Sequence, residues 1–221
     1  MYEIFRPDVV TAMLQFDHVH KTYNQQPVLD IRHLKLERNI YWLTGINGSG
    51  KTTLLSMLAG LIPFKGDIQL EGVNLRCDPV SYRSLVNFAE AEPLYPDFIT
   101  GHELVCFYQE IRKAAAVQID MLINLFKVHH FLRSPIGSYS SGMVKKLSLL
   151  LAFIGKPSLL LLDEPLAMLD ESSLQILPEL INAYYKEFKT AFIFSSHQPF
   201  NLFSMTVNKI LITDRSLQLI T

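Results

Sequence analysis

The chain has 221 residues, 49% of them apolar, and its 20 basic and 21 acidic side chains leave a formal net charge of −1. That length allows one or two modest domains with a substantial core, and the balanced charge gives no reason to expect a polyanion partner, although a local basic patch stays open. Two cysteines, Cys77 and Cys106, exclude a disulfide framework and point to a reducing compartment.

Met1–Val10 carries Glu3, Arg6, Pro7 and Asp8 without an apolar stretch, so it does not read as a secretory signal. Met13-Leu14-Gln15-Phe16 would itself make a plausible start, so residues 1–12 read as an optional extension. Leu14–Asp17 alternates in polarity and leads to Lys21-Thr22-Tyr23. Leu29–Arg32 and Leu34–Glu37 alternate again, with a phase slip at His33 that a bulge would produce. These are expected to be half-buried antiparallel strands. Ile40–Leu43 is apolar and aromatic, as a buried strand should be. Thr53–Ala59 reads as a helix stopped by Gly60. Pro63–Gly66 is a turn, and Asp67–Gly72 and Leu85–Ala89 are short strands.

From Pro93 the pattern becomes helical. Thr100 and Glu103 form a capping box that opens a helix to about Arg112. Val117, Met121, Leu122, Leu125 and Val128 repeat at helical spacing, and Met143, Leu147, Leu150, Leu151 and Ile154 make one apolar helix face. Residues 93–145 therefore read as a helical insertion. Leu159–Leu162 is a four-leucine strand buried on both faces. Leu174, Leu177, Ile181, Tyr184 and Phe188 mark a helix in which Pro178 demands a kink or a late start. Ala191–Ser195 is a further buried strand, and Lys209–Thr213 with Ser216–Thr221 closes the chain as a hairpin around Asp214-Arg215. Strands alternating with helices imply an α/β fold with a mainly parallel sheet. The most apolar helix, Leu147–Gly155, is flanked by lysines and falls far short of the ~20 residues that cross a bilayer.

The chemistry starts at Gly45–Thr53. Gly45, Gly50, Lys51 and Thr52 match the phosphate-loop pattern Gly-x-x-x-x-Gly-Lys-Thr between a strand and a helix. Glycines let backbone N–H groups converge on an anion, the helix N-terminus adds its dipole, Lys51 adds a full charge and Thr52 a hydroxyl for Mg²⁺. The ligand class is a nucleoside triphosphate. Asp163, ending an apolar strand, is the expected metal-holding acid, and Glu164 the candidate general base for an attacking water. The phosphate loop, Asp163-Glu164 and His197 all fall at carboxyl ends of predicted strands, where open α/β sheets bind ligands. His18, His20, His33, His102, His129 and His130 show no metal-ligand spacing and read as surface or core polar residues. Phe98, Phe107, Tyr108 and Phe131 are expected mostly in the core of the insertion, a minority with Tyr95 facing a partner.

From Leu14 to Thr221 the order of motifs resembles the ABC (ATP-binding cassette) ATPase family. Tyr23 matches the residue that stacks on adenine, and Gly45–Thr52 matches Walker A. Glu90 lies where the Q-loop glutamine is usual, and Tyr139-Ser140-Ser141-Gly142-Met143 where the signature Leu-Ser-Gly-Gly-Gln is expected. Leu159–Asp163 matches Walker B, followed by Glu164. Ala167–Asp170 matches the D-loop, and Ser196-His197 the switch histidine. The resemblance implies a P-loop NTPase core with an N-terminal antiparallel β-subdomain and a helical insertion subdomain, all one nucleotide-binding domain over residues 1–221. It implies that Asn47, Gly48, Ser49, Gly50, Lys51, Thr52 and Thr53, together with Tyr23, bind ATP. By the same resemblance Ser140, Ser141 and Gly142 would contact the γ-phosphate on the opposite subunit, Thr52, Glu90 and Asp163 would hold Mg²⁺, and Glu164, His197 and Lys51 would carry hydrolysis. Glu90 puts a carboxylate where an amide is usual, and Ser141 adds a Cβ where a glycine is usual. The implied partners are a separate transmembrane permease and a second cassette, in a homodimer or heterodimer, with no nucleic acid. The small cassette looks export-type, and the chain would then sit at the cytoplasmic face of the membrane through its permease. A soluble ABC ATPase acting on nucleic acid or ribosomes is the alternative, disfavoured by the lack of basic surplus, zinc motifs and long coiled-coil insertions. A P-loop kinase would share Gly45–Thr52 but has no use for the later motifs.

Overall fold

In the computed structural model, residues 12–196 and 207–220 are described. Two β-strands open the fold, β1 (Leu14–Tyr23) and β2 (Gln26–Leu36), followed by β3 (Ile40–Thr44), which runs into helix α1 (Lys51–Leu58). Next come β4 (Lys65–Leu70), β5 (Val73–Asn74), α2 (Pro79–Leu85) and β6 (Val86–Ala89). Then follow α3 (Gly101–Arg112), α4 (Ala116–Phe126) and α5 (Ser141–Ala152). The chain closes with β7 (Leu159–Leu162), α6 (Glu171–Glu187), β8 (Ala191–Ser195), β9 (Asn208–Thr213) and β10 (Ser216–Ile220).

Two sheets result. β2-β1-β4-β5 is antiparallel, and β10-β9-β3-β8-β7-β6 is parallel apart from the final hairpin β9–β10. The six-stranded sheet divides the core. Leu159 and Leu161 of β7 face α1 and the antiparallel sheet, while Leu160 and Leu162 face α5 and α6. Alternate residues of one strand thus serve two cores, which explains why β7 reads as an unbroken leucine run rather than an alternation.

Local signals match their elements at several points. Thr100 and Glu103 close the expected capping box on α3. α6 differs from its expectation. It starts at Glu171, capped by Asp170, and runs on through the buried Pro178, so the late start is corrected. The expected face of α4 holds in part. Leu122 and Val128 are buried and Leu125 packs on the core, whereas Val117 is 75% and Met121 41% exposed, and Ile119 and Phe126 complete the buried face against α3, α5 and α6. Phe98 and Phe107 are exposed rather than core residues, while Phe131 is buried. α2 carries a signal that sequence reading passed over, Asp78 capping the helix and Pro79 at its first turn.

Candidate nucleotide site

β3 and β7 are one strand apart in the parallel sheet, separated by β8, so the loops leaving their carboxyl ends lie together. The β3 exit is the phosphate loop. Its last turn places Gly50 at φ 104°, ψ 17° as the N-cap of α1, a left-handed conformation costly for any residue with a Cβ. No side chain caps α1, so its first N–H groups point outward without an internal acceptor. Lys51 is buried, and its ammonium donates to the carbonyls of Gly45 (2.9 Å) and Ile46 (3.3 Å), which holds the charge over the loop.

A cavity of about 410 Å³ opens over this loop. Its lining joins Tyr23 and Val28 of the antiparallel sheet to Asn47, Gly48, Gly50, Lys51, Thr52 and Thr53, with Asp163 and Glu164 from the β7 exit. Tyr23 is 47% exposed, and the Lys21 ammonium lies 4.4 Å from its ring centroid. Lys21 itself is anchored by donating to the Pro63 carbonyl.

Asp163 is almost fully buried. Its Oδ1 accepts from the Ser195 hydroxyl at 2.5 Å, while Oδ2 has no hydrogen-bond partner. Ser195 Oγ also accepts from the Glu164 N–H at 2.9 Å, so one hydroxyl on β8 orients both acids. Glu164 adopts φ 44°, an uncommon backbone state for a non-glycine residue. A buried carboxylate oxygen left over, in a residue that lines the same cavity as Thr52, supplies with the Thr52 hydroxyl the kind of hard-oxygen donors that Mg²⁺ takes. The residues present therefore fit that ion.

The other expected site residues lie elsewhere. Ser49 lines an adjoining depression with Ile46 and Gln26–Val28, and its hydroxyl is buried. Glu90 lines a separate cavity of about 230 Å³ with Arg83, Tyr108 and Arg112. Ser140 caps α5, its hydroxyl accepting from the Met143 N–H at 3.3 Å. Ser141 lines a third cavity with Tyr139, Val144 and Met168, and the Gly142 position faces the Met168 carbonyl. His197 lies outside the described residues.

Lys145 was passed over as a flanking charge. It is 1% exposed, and its ammonium donates to the carbonyls of Glu90 (2.9 Å), Ala91 (3.3 Å) and Asp163 (2.9 Å). Burial pushes its pKa down to about 8, against the opposing pull of Asp163 and Glu164. It ties α5 to the loops after β6 and β7. Its helical position, one turn before the buried Leu149, is the signal that could have found it.

A family model described as ABC transporter matches residues 31–167. The cytochrome c biogenesis ATP-binding export protein CcmA of Legionella pneumophila (strain Lens) is 36% identical over 164 residues, 73% of this chain and 82% of that protein. The ABC-type transporter ATP-binding protein EcsA of Bacillus subtilis (strain 168) is 31% identical over 166 residues, covering 72% and 67%. In fold, a solved ATP-binding subunit of an ABC transporter superposes with TM-score 0.83 at 22% identity, over 93% of this chain and 88% of that one. A dimeric ATP-binding cassette in a post-hydrolysis state with ADP and Pi superposes with TM-score 0.81 at 16% identity, over 93% and 97%.

Proposed function

The chain belongs to the ABC transporter family, as an ATP-binding ATPase cassette, and on that premise we propose that it powers a separate membrane subunit, in the export direction, through ATP-driven pairing of two cassettes. The observation that carries this reading is a division of labour within one chain. The phosphate loop, Asp163 and Glu164 share a cavity, whereas Ser141 of the signature turn lines a different one. A chain so arranged has half of each of two sites, and a head-to-tail pair completes both.

The chain's own groups suffice to describe the work at one half-site. Tyr23 offers a ring face to a base. The loop N–H groups and Lys51 take the phosphates and draw charge toward the γ-phosphoryl as it transfers. Thr52 and Asp163 would hold Mg²⁺, which when bound neutralises phosphate charge. Glu164 accepts the proton of the attacking water, its backbone fixed by the Ser195 hydroxyl. In the second chain, Ser140 and the α5 N-terminus meet the γ-phosphate, so binding closes the pair and hydrolysis releases it.

Export is supported by the similarity to CcmA, itself an ATP-binding export protein. A membrane partner is supported by the apolar side chains that Leu94, Phe98, Phe107 and Ile111 expose between residues 94 and 111. No helix among the described residues is long and apolar enough to cross a membrane. Purification of the tagged chain from detergent-extracted membranes tests the reading. A co-eluting multi-span protein that stimulates its ATP hydrolysis is expected. Recovery only with ribosomes or RNA would overturn it in favour of a soluble ABC ATPase.

A further inference from the structure

The antiparallel sheet carries a second constellation, on its solvent face and away from the nucleotide cavity. In the pairing of β1 with β2, Asp17 lies directly opposite His33, and in the pairing of β1 with β4 it lies directly opposite Asp67. The three share one face of the sheet. His18 would ordinarily point to the other face. It does not, because the strand slips phase there. His18 has φ 48°, the register with β4 shifts between Asp17 and His20, and Asp17 and His18 are exposed in succession before the buried Val19. β2 slips in step, with Arg32 and His33 exposed in succession. Gly66 makes this possible, since a Cβ there would stand 2.0 Å from the His18 carbonyl.

The side chains converge. His33 Nδ1 lies 2.7 Å and His18 Nδ1 3.0 Å from the same carboxylate oxygen, Asp17 Oδ1. The two imidazole rings meet edge to face with centroids 4.5 Å apart. Two observations separate this from an ordinary solvated strand. One donor atom from each of Asp17, His18 and His33 falls within 4.8 Å of the others, so small side-chain rotations bring all three to the separation of about 3.4 Å that tetrahedral ligands with bonds of about 2.0–2.2 Å require. Asp17 and Asp67 also set two carboxylates directly across from each other, an arrangement that destabilises a sheet unless a cation offsets it. Among the described residues neither forms an ion pair with a lysine or arginine, and Asp67 is held only by the Asn74 amide at 2.9 Å.

We propose that Asp17, His18 and His33 form a binding site for a divalent transition-metal ion of the Zn²⁺ class. Two imidazole nitrogens and one carboxylate oxygen supply three ligands of the set Zn²⁺ favours, and water supplies the fourth. The ion takes the place of the close contacts between the ring nitrogens and Asp17 Oδ1, offsets the charge of the Asp17–Asp67 pair, and clamps β1 to β2 where both strands slip phase, upstream of Tyr23 on the same strand. The all-oxygen set at Thr52 and Asp163 is chemically distinct from two imidazoles and a carboxylate, so Mg²⁺ and a Zn²⁺-class ion do not compete for one place.

The test is calorimetric titration of the full chain with ZnCl₂ alone, without nucleotide, on the wild type, His18→Ala/His33→Ala, Asp17→Asn and His20→Ala. His20 pairs with Asp30 on the same sheet and serves as the control for exposed histidines. The double variant is expected to take up one equivalent fewer than the wild type, Asp17→Asn to bind about tenfold or more weakly, and His20→Ala to bind as the wild type does. Co²⁺ substitution reads the ligand set independently. A visible absorption band should appear in the wild type and be absent from the double variant. All these positions are exposed, and unchanged metal-free melting confirms the fold of each variant. Equal Zn²⁺ uptake and affinity in the wild type and the double variant, or an equal loss in His20→Ala, would overturn the proposal.

Discussion

Two helix N-termini in this molecule, both assigned to phosphate in the proposed function, are built differently. α1 begins at Gly50, left-handed and without a side-chain cap, so its first N–H groups are left for an anion. α5 begins at Ser140, whose hydroxyl already accepts the Met143 N–H. The first is a complete phosphate cradle with its cation, Lys51, built in. The second is partly satisfied from within and has no cavity shared with the acids. Under the proposed pairing, the difference means that one chain offers a phosphate cradle with its own cation at one helix N-terminus and, at the other, a partly satisfied turn that would complete the site of a second copy.

Removing the built-in cation should break the comparison most severely. Lys51→Ala is expected to lower ATP hydrolysis by about 10²–10³-fold, as loss of one preorganised charge donor at a transferring phosphoryl does. A turnover assay at saturating ATP checks it.

Lys145→Met should follow. It leaves the carbonyls of Glu90, Ala91 and Asp163 without their shared donor, at a cost of about 2–3 kcal/mol in denaturant unfolding. Gly50→Ala sharpens the contrast of backbones. Its left-handed φ and a Cβ 3.1 Å from Val28 predict a loss of about 1–2 kcal/mol by the same measurement.

Ser140→Ala removes the cap on α5, at about 1 kcal/mol. Its larger readout should be weaker ATP-dependent pairing in sedimentation, with ATP affinity of the isolated chain unchanged. The smallest effect concerns Asp170, which caps α6 and pairs with Lys146 of α5 at 2.6 Å. The Lys146 hydrogen bond, then Ser173, holds its carboxyl below the usual carboxylate range. A depressed carboxylate pKa stabilises the fold above the unfolded value of about 4 and loses that effect as pH falls through the folded value. Asp170→Asn keeps the cap and removes the ion pair. At an exposed site this should cost about 0.2–1 kcal/mol at pH 7, and the gap should close on acidification.

Legibility followed locality. The phosphate loop, the leucine strand β7 and the capping box on α3 are written in a few adjacent residues, and each can be read without knowing what lies across the fold. Strand order was not legible, because β3 between β8 and β9 is decided by residues more than 140 positions away. The same limit hid Lys145, a charge in an apolar helix whose three acceptors come from two other loops. It also hid Asp17, His18 and His33. The phase slip at His33 was visible in the sequence, but its consequence depends on a matching slip in the neighbouring strand. Glu90 shows the converse. Its place in the motif order suggests a metal ligand, a role that only a metal-bound site can test, while in this structure it lines a cavity with Arg83 and Arg112.

The central claim is that ATP is held between two copies of the cassette, with Glu164 as the base that ends the paired state. Sedimentation velocity of Glu164→Gln with and without ATP and Mg²⁺ tests it most directly. The account predicts a stable dimer only with ATP, abolished when Ser140→Arg is added, and hydrolysis lowered by about 10²–10⁴-fold. A monomer at saturating ATP, or undiminished hydrolysis in that variant, would contradict it.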